Sequence, residues 1–141
     1  MLCGEQLQEE KHQMILNDKI PLKNGLTLEL WDASKEGDLG FWTVVAIVKC
    51  RIEVKNEYFK EFGSPLHWHS SFTQKVGHYL TYQQRKQRRM IPLEEKQKVF
   101  QAMTERLKSH IIPYISKENF PKNFVLERFR ELFLIKPDKF S

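Results

Sequence analysis

Residues 41–54 limit which folds this chain can adopt, because they form the strongest β-strand signal in the sequence. The run is dense in Val, Ile and aromatic residues, which favour extended backbone. Its first half is apolar on both faces. Its second half alternates, with Cys50 and Ile52 on one face and Arg51 and Glu53 on the other. We therefore predict a central strand that is covered on both sides at its start.

The neighbouring segments predict partners for this strand. Asn24-Gly25 is typical of a type I′ turn and joins residues 20–22 to the alternating residues 26–32. Pro21 limits the first of these strands to a sheet edge or to a short pairing. Residues 55–75 are interpreted as irregular, with one helical turn before Gly63, and residues 76–91 as another strand.

The last third of the chain changes to helical spacing. Apolar residues after Pro92 predict a helix that Pro113 ends, and a second helix that begins near Ser116 or Asn119 and stops at Pro137. Strands come first and helices last. This order predicts an α+β fold: an antiparallel sheet of about four strands in a meander, followed by two C-terminal helices packed on one face.

The size and composition fit one domain. The chain has 141 residues, of which 40% are hydrophobic and 29% charged. We expect a polar lead over residues 1–15 and a single domain over residues 16–141. The N-terminal residues lack the features of a signal peptide, no apolar run reaches membrane-spanning length, and the two cysteines make no disulfide framework. These features predict a cytoplasmic protein with no membrane association.

A short basic run is the main candidate for a binding site. The whole chain carries 23 − 18 = +5 charges, and residues 85–89 alone supply four cations. The run and the tyrosine just before it give five candidate ligand contacts: Arg85, Lys86, Arg88, Arg89 and Tyr82. Such cations bind phosphates and a tyrosine can stack on a base, so the predicted ligand is a nucleotide or nucleic acid. The alternative is a charged strand end that prevents sheet aggregation.

Strand alternation divides this basic run between two faces. Arg85 and Arg89 share a face with Tyr79, while Lys86 and Arg88 share the other face with Tyr82. At most half of the run therefore addresses one ligand, which makes a small anionic contact a better prediction than an extended nucleic-acid track.

Two short motifs resemble those of PilZ domains. Asp32, Ser34 and Gly37 match an Asp-x-Ser-x-x-Gly pattern, and Arg85 and Arg89 match Arg-x-x-x-Arg. The resemblance implies a cyclic-dinucleotide sensor, in which the arginines grip the ligand and the Asp-x-Ser turn contacts it. The arginine pair comes first in PilZ domains and second here, so the resemblance also implies a permuted topology. The alternative is a turn in which Asp32 and Ser34 bind local backbone N–H groups.

Signals for metal or covalent chemistry are sparse. His67 and His69 would face the same side of an extended chain, with His78 following, but no carboxylate or cysteine lies at a spacing typical of a metal site. The chain has no Gly-x-Ser-x-Gly elbow, and Cys50 is predicted to lie inert in the core. We therefore predict a non-enzymatic protein with no cofactor, no metal and no catalytic residue.

The C-terminal helix suggests a second kind of partner. Residues 133–135 (Phe-Leu-Ile) are apolar around most of a helical turn. They predict either a surface for a protein partner or homo-oligomer, or enclosure by the sheet and Phe140. Residues 24–35, from Asn-Gly-Leu-Thr-Leu to Ser-Lys, together with Pro-Tyr-Ile-Ser at 113–116, are similar to small bacterial cytoplasmic proteins without an assigned function.

Overall fold

A computed structural model describes residues 14–134 of the chain. The predicted polar lead up to residue 13 lies outside this region, as do the predicted helix stop at Pro137 and the predicted contact of Phe140. The first strand begins at Ile15, one residue before the predicted start of the domain.

The sheet confirms the predicted fold class. Its five strands are all antiparallel, and the four longer ones lie side by side in chain order, as in the predicted meander. The expected order of strands first and helices last holds only in part, because one helix precedes the last strand. The strands are β1 (Ile15–Pro21), β2 (Thr27–Asp32), β3 (Lys35–Glu36), β4 (Trp42–Glu53) and β5 (Tyr79–Ile91). The predicted central strand is β4, which pairs with β2 and β3 along one side and with β5 along the other. Pro21 lies at the end of the edge strand β1, as predicted.

Three α-helices pack on one face of the sheet: α1 (Pro65–Val76), α2 (Lys96–Ile115) and α3 (Phe120–Phe133). Short 3₁₀ helices occupy Asp38–Gly40, Asn56–Phe62 and Leu93–Glu95. The even-numbered residues of β4 from Val44 to Ile52 form the floor of the core under these helices. Val45 and Ile47 point to the other face and are buried as well, so the start of β4 is covered on both sides as predicted.

The prediction of irregular chain over residues 55–75 was wrong in its second half. Pro65 occupies the first turn of α1, where the missing N–H costs no hydrogen bond, and the helix then continues to Val76. Tertiary packing supports it, because Phe72 is fully buried and the Trp68 ring meets the Phe129 ring edge-on at 5.5 Å. As a consequence, β5 begins at Tyr79 rather than at residue 76.

Pro113 does not end α2 as predicted. The helix includes this proline and runs to Ile115, whose side chain is fully buried in the core. A proline removes one helical hydrogen bond, and Pro113 stands in the last turn, where only two further residues follow it. Burial of Ile115 favours that extra half-turn, and the Ser116 N–H still donates to the Ile112 carbonyl at 3.0 Å.

The hairpin at Asn24-Gly25 exists, but its turn is not type I′. Leu22 N–H bonds to Leu26 O at 2.8 Å, so the loop has three residues, and of these Gly25 alone has a positive φ (+92°). This matches the hairpin in which a left-handed residue follows a tight turn. Asn24 takes another role. Its side-chain amide donates to the carbonyls of Ile115 and Lys117 at 2.8 and 2.9 Å, which ties the hairpin to the end of α2.

Candidate functional site

The register of β5 against β4 decides which cations face the helices. Arg88 lies opposite Val44, and Lys86 lies opposite Ala46. Cross-strand partners point to the same face of a sheet, and both β4 residues belong to the core beneath the helices. Lys86, Arg88 and Tyr82 therefore project from the helix side of β5, which confirms the predicted grouping of these three residues.

Arg85 projects from the opposite face. It lies opposite Ile47, which in turn pairs with Trp31 of β2 on the face away from the helices. Its guanidinium donates to the side chain of Gln87 at 3.1 Å, the next residue on that face. The basic run is thus divided, as the alternation predicts, and Arg85 takes no part in a site on the helix side.

Arg89 lies in a β-bulge. Arg88 pairs with Val44 and Ile91 pairs with Trp42, so two residues of β5 stand opposite the single residue Thr43. The second of these, Met90, has a φ of 60°. The extra residue turns Ile91 back to the helix side, where it packs on the core. Arg89 does not line the groove that Lys86 and Arg88 enter.

That groove lies between β5 and α2 and has a volume of about 860 Å³. The helix supplies Arg106, His110 and Tyr114, which follow each other at four-residue spacing and so share one helical face. Leu107 and Ile111 close the apolar base of the groove. Sequence reasoning missed these helix residues. Their four-residue spacing can be read from the sequence, but it indicates a binding site only when β5 is known to lie beside α2.

The groove has a one-sided charge. Lys86 and Arg88 from the strand and Arg106 from the helix line it, and none of its lining residues is acidic. His110 lies beside them, where its Nδ1 donates to the Arg106 carbonyl at 2.9 Å. Over residues 14–134 the ion pairs are Lys108–Glu105 and Arg128–Glu131, and neither uses a cation of the groove. The three cations are therefore available to an anion from solution.

Aromatic rings form one end of the groove. Tyr82 and Tyr114 have ring centroids 6.5 Å apart, and Tyr82 also meets Phe120 edge-on at 5.6 Å. Burial raises the pKa of the Tyr82 phenol, a shift that the hydrogen bond from Gln84 to its oxygen (2.8 Å) partly opposes. The phenol stays neutral at physiological pH, so its O–H remains a hydrogen-bond donor.

A second depression continues the groove beyond the two tyrosines. It has a volume of about 500 Å³ and shares Tyr82 and Tyr114 with the basic groove. Its wall on α3 carries Glu127, Arg128 and Glu131, of which the last two form an exposed ion pair at 3.2 Å. Together the two depressions follow β5 from a cationic end to an end of mixed charge.

Asp32 and Ser34 bind the local backbone. The Ser34 N–H donates to the Asp32 carboxylate at 2.9 Å, and the Ser34 hydroxyl accepts from the Val45 N–H at 2.9 Å. This is the turn geometry that was the alternative to ligand binding, and neither residue lines the basic groove. Asp32 lies in register with Ala46 and Lys86, whereas Arg85 points to the other face. The cyclic-dinucleotide interpretation stays a prediction.

The histidines lie in a helix rather than in the extended chain that would put His67 and His69 on the same side. His67 and His69 lie in α1, where residues two apart point in nearly opposite directions. His69 Nε2 lies 2.8 Å from the Val54 carbonyl, and the His67 ring packs against Trp68. Within residues 14–134, no group of three or more His, Cys, Asp or Glu side chains is arranged to hold a metal ion.

Cys50 lies in the core, as predicted. Its side chain is fully buried under the helices, and burial, with a smaller contribution from Glu29, raises the pKa of the thiol to about 11. The thiol is thus protonated at physiological pH, and its full burial keeps electrophilic reagents and substrates away from it.

The apolar residues of α3 mostly face the interior. Phe129 is fully buried and packs against the rings of Phe59 and Phe72, while Phe133 stacks on Phe129 at 5.3 Å. These contacts explain most of the apolar character that suggested a partner surface. Leu134 remains 40% exposed, and the predicted contribution of Ile135 lies outside the described residues. A partner at this helix stays a prediction.

Comparison with known proteins identified no relative: no family model, no curated protein and no solved structure matches the chain significantly. Among the helices of residues 14–134, none combines the length and the apolar character that crossing a bilayer requires.

Proposed function

We propose that this chain is a non-enzymatic binding protein whose ligand is anionic and occupies the groove between β5 and α2. The observation that carries this proposal is the convergence of cations from two elements distant in sequence. Lys86 and Arg88 come from β5, Arg106 comes from α2, and no carboxylate lines the space between them. Like charges brought together without a counterion repel each other, and an anionic ligand relieves that repulsion.

The remaining lining supports a ligand with both charged and apolar parts. The groove passes from its cations to Tyr82 and Tyr114, which offer ring faces and a phenol O–H, over a base of aliphatic side chains. Binding sites for small ligands typically combine an apolar lining with a few polar groups that fix orientation. The lining offers no activated nucleophile, since the one described cysteine is buried and protonated.

The test replaces the groove cations together. A Lys86→Gln, Arg88→Gln, Arg106→Gln variant is compared with the parent for binding of ATP, oligothymidylate and poly-glutamate by calorimetry at several salt concentrations. Exposed charge pairs contribute about 0.2–1 kcal/mol each, so three together should weaken the affinity by about 3-fold to about 150-fold. Binding by the parent should also weaken as salt is raised.

The matched control removes the same charge from the opposite face of the sheet. Lys19, Lys49 and Arg51 face away from the helices, and their replacement by Gln should leave binding within about twofold of the parent, because the sheet separates these charges from the groove and solvent screens charges that do not contact the ligand. The proposal fails if both triple variants lose equal affinity, or if the groove variant binds every probe as the parent does.

A further inference from the structure

The open edge of β5 suggests what kind of anion the protein binds. β5 is 13 residues long, and within the described chain it pairs only with β4. The backbone N–H and C=O groups of every second residue therefore point away from the sheet. A strand edge of this length is a template on which an extended peptide can add a further strand.

The basic groove lies directly beside this edge. A strand added to β5 would run about 4.8 Å beyond it, and half of its side chains would point to the helix side. There they would meet Lys86, Arg88 and Arg106 at one end and the two tyrosines at the other. The other half would point to the opposite face, where Arg85 projects. The side chains on both faces of an added strand would therefore lie near cations of this protein.

The charge of β5 decides between occupants. The strand carries four cations and no carboxylate. A second copy of the chain, paired edge to edge, would bring its own cations close to these, and like charges on neighbouring strands are destabilising. An acidic segment would instead complement them. Nucleic acid would also match the charge, but its backbone has no row of donors and acceptors to pair with the free N–H and C=O groups of β5.

Resting on the proposed function, we infer that the ligand is an acidic peptide segment in extended conformation, which adds to β5 as a sixth strand and places alternate side chains in the groove. Acidic side chains bind at the cationic end, and apolar or aromatic side chains bind near Tyr82 and Tyr114. The inference gives Arg85 a role that the groove alone does not, because this residue contacts the peptide from the other face of the sheet.

The test uses a labelled peptide of eight alternating glutamate and valine residues and two N-methylated forms of it. In one form every glutamate is methylated on its backbone nitrogen, and in the other every valine. A bound strand directs only one of these sets of N–H groups toward β5. Fluorescence anisotropy should therefore show that one methylated form loses affinity at least about tenfold, while the other stays within about threefold of the unmethylated peptide.

A protein variant provides an independent readout. Arg85→Gln should weaken binding of a labelled octaglutamate peptide by about two- to fivefold, because this peptide presents carboxylates to both faces of the sheet and one exposed charge contact on the far face is lost. The matched variant Lys49→Gln, which removes a charge from the same face one strand further in, should leave the affinity unchanged.

The outcomes separate this inference from the proposed function. If both methylated peptides bind alike, or if oligothymidylate binds more tightly than the peptide and still requires Lys86 and Arg106, the ligand does not add as a strand, and only the basic groove stands. If none of the probes depends on these cations, the proposed function itself is overturned.

Discussion

The side chain of Asn24 should stabilise the fold far more than its place in a surface loop suggests. Its amide donates to the Ile115 and Lys117 carbonyls at 2.8 and 2.9 Å, and its oxygen accepts from the Leu26 N–H at 3.2 Å. Two of these bonds are partly buried and one is exposed. At about 1 kcal/mol for a partly buried bond and less for an exposed one, Asn24→Ala should lower the free energy of unfolding by about 2–3 kcal/mol.

Urea denaturation followed by tryptophan fluorescence measures this loss as a lower transition midpoint with an unchanged slope. Asn24→Asp separates the two roles of the side chain. The carboxylate still accepts from Leu26, but both donors are lost, and a negative charge then faces the negative end of the α2 dipole. At neutral pH it should therefore destabilise the protein at least as much as Asn24→Ala does.

Lys23→Ala is the matched control, because Lys23 lies in the same loop, is exposed and bonds to nothing at the helix end. It should change the stability by no more than about 0.5 kcal/mol. The reasoning is refuted if Asn24→Ala stays within about 0.5 kcal/mol of the parent, or if Asn24→Asp is no worse than the control.

Two further predictions concern the core. The raised pKa of Cys50 contributes stability that is fully present below about pH 9 and is lost as the pH rises through about 11. Urea denaturation at each pH should therefore show that the parent loses about 2–3 kcal/mol relative to Cys50→Val between these values. Parallel pH profiles of the two proteins would contradict this prediction. Phe129→Ala should lower the free energy of unfolding by about 3–5 kcal/mol, because the ring is fully buried among Phe59, Phe62 and Phe72. Phe133→Ala should lower it clearly less, because Phe133 lies at the half-buried end of the stack. Equal losses in denaturation midpoint would show that the cluster is not centred on Phe129.

The local sequence pattern was sufficient to predict the sheet, because β4 and β5 can each be recognised as strands from their own residues. β4 is apolar on both faces and β5 alternates, so the faces of Lys86 and Arg85 follow from counting residues. α1 carries no such signal. Its polar residues outnumber its apolar ones, and it is stabilised by Trp68 and Phe72 against α3, which lies some sixty residues later in the chain. Contacts of this kind cannot be deduced from one segment alone.

The candidate site was half predictable for the same reason. Lys86, Arg88 and Tyr82 belong to one strand, and their common face depends only on alternation. Arg106 and His110 line the same groove because α2 packs beside β5. That packing depends on tertiary contacts between the helices and the sheet. The predicted turn type of the hairpin was wrong, because Asn-Gly is typical of two-residue loops. In the structure, the backbone hydrogen bond between Leu22 and Leu26 closes a three-residue loop.

The bulge at Arg89 and Met90 also sets the kinds of sequence change that this strand can accept. A substitution in β5 alters one side chain and leaves its neighbours on their faces. An inserted or deleted residue between Tyr79 and Met90 instead exchanges the faces of every residue on one side of the change, moving the cations out of the groove or Ile91 out of the core. The length of this segment is therefore under tighter constraint than its composition, and divergence within it should proceed by replacement of residues rather than by gain or loss of them.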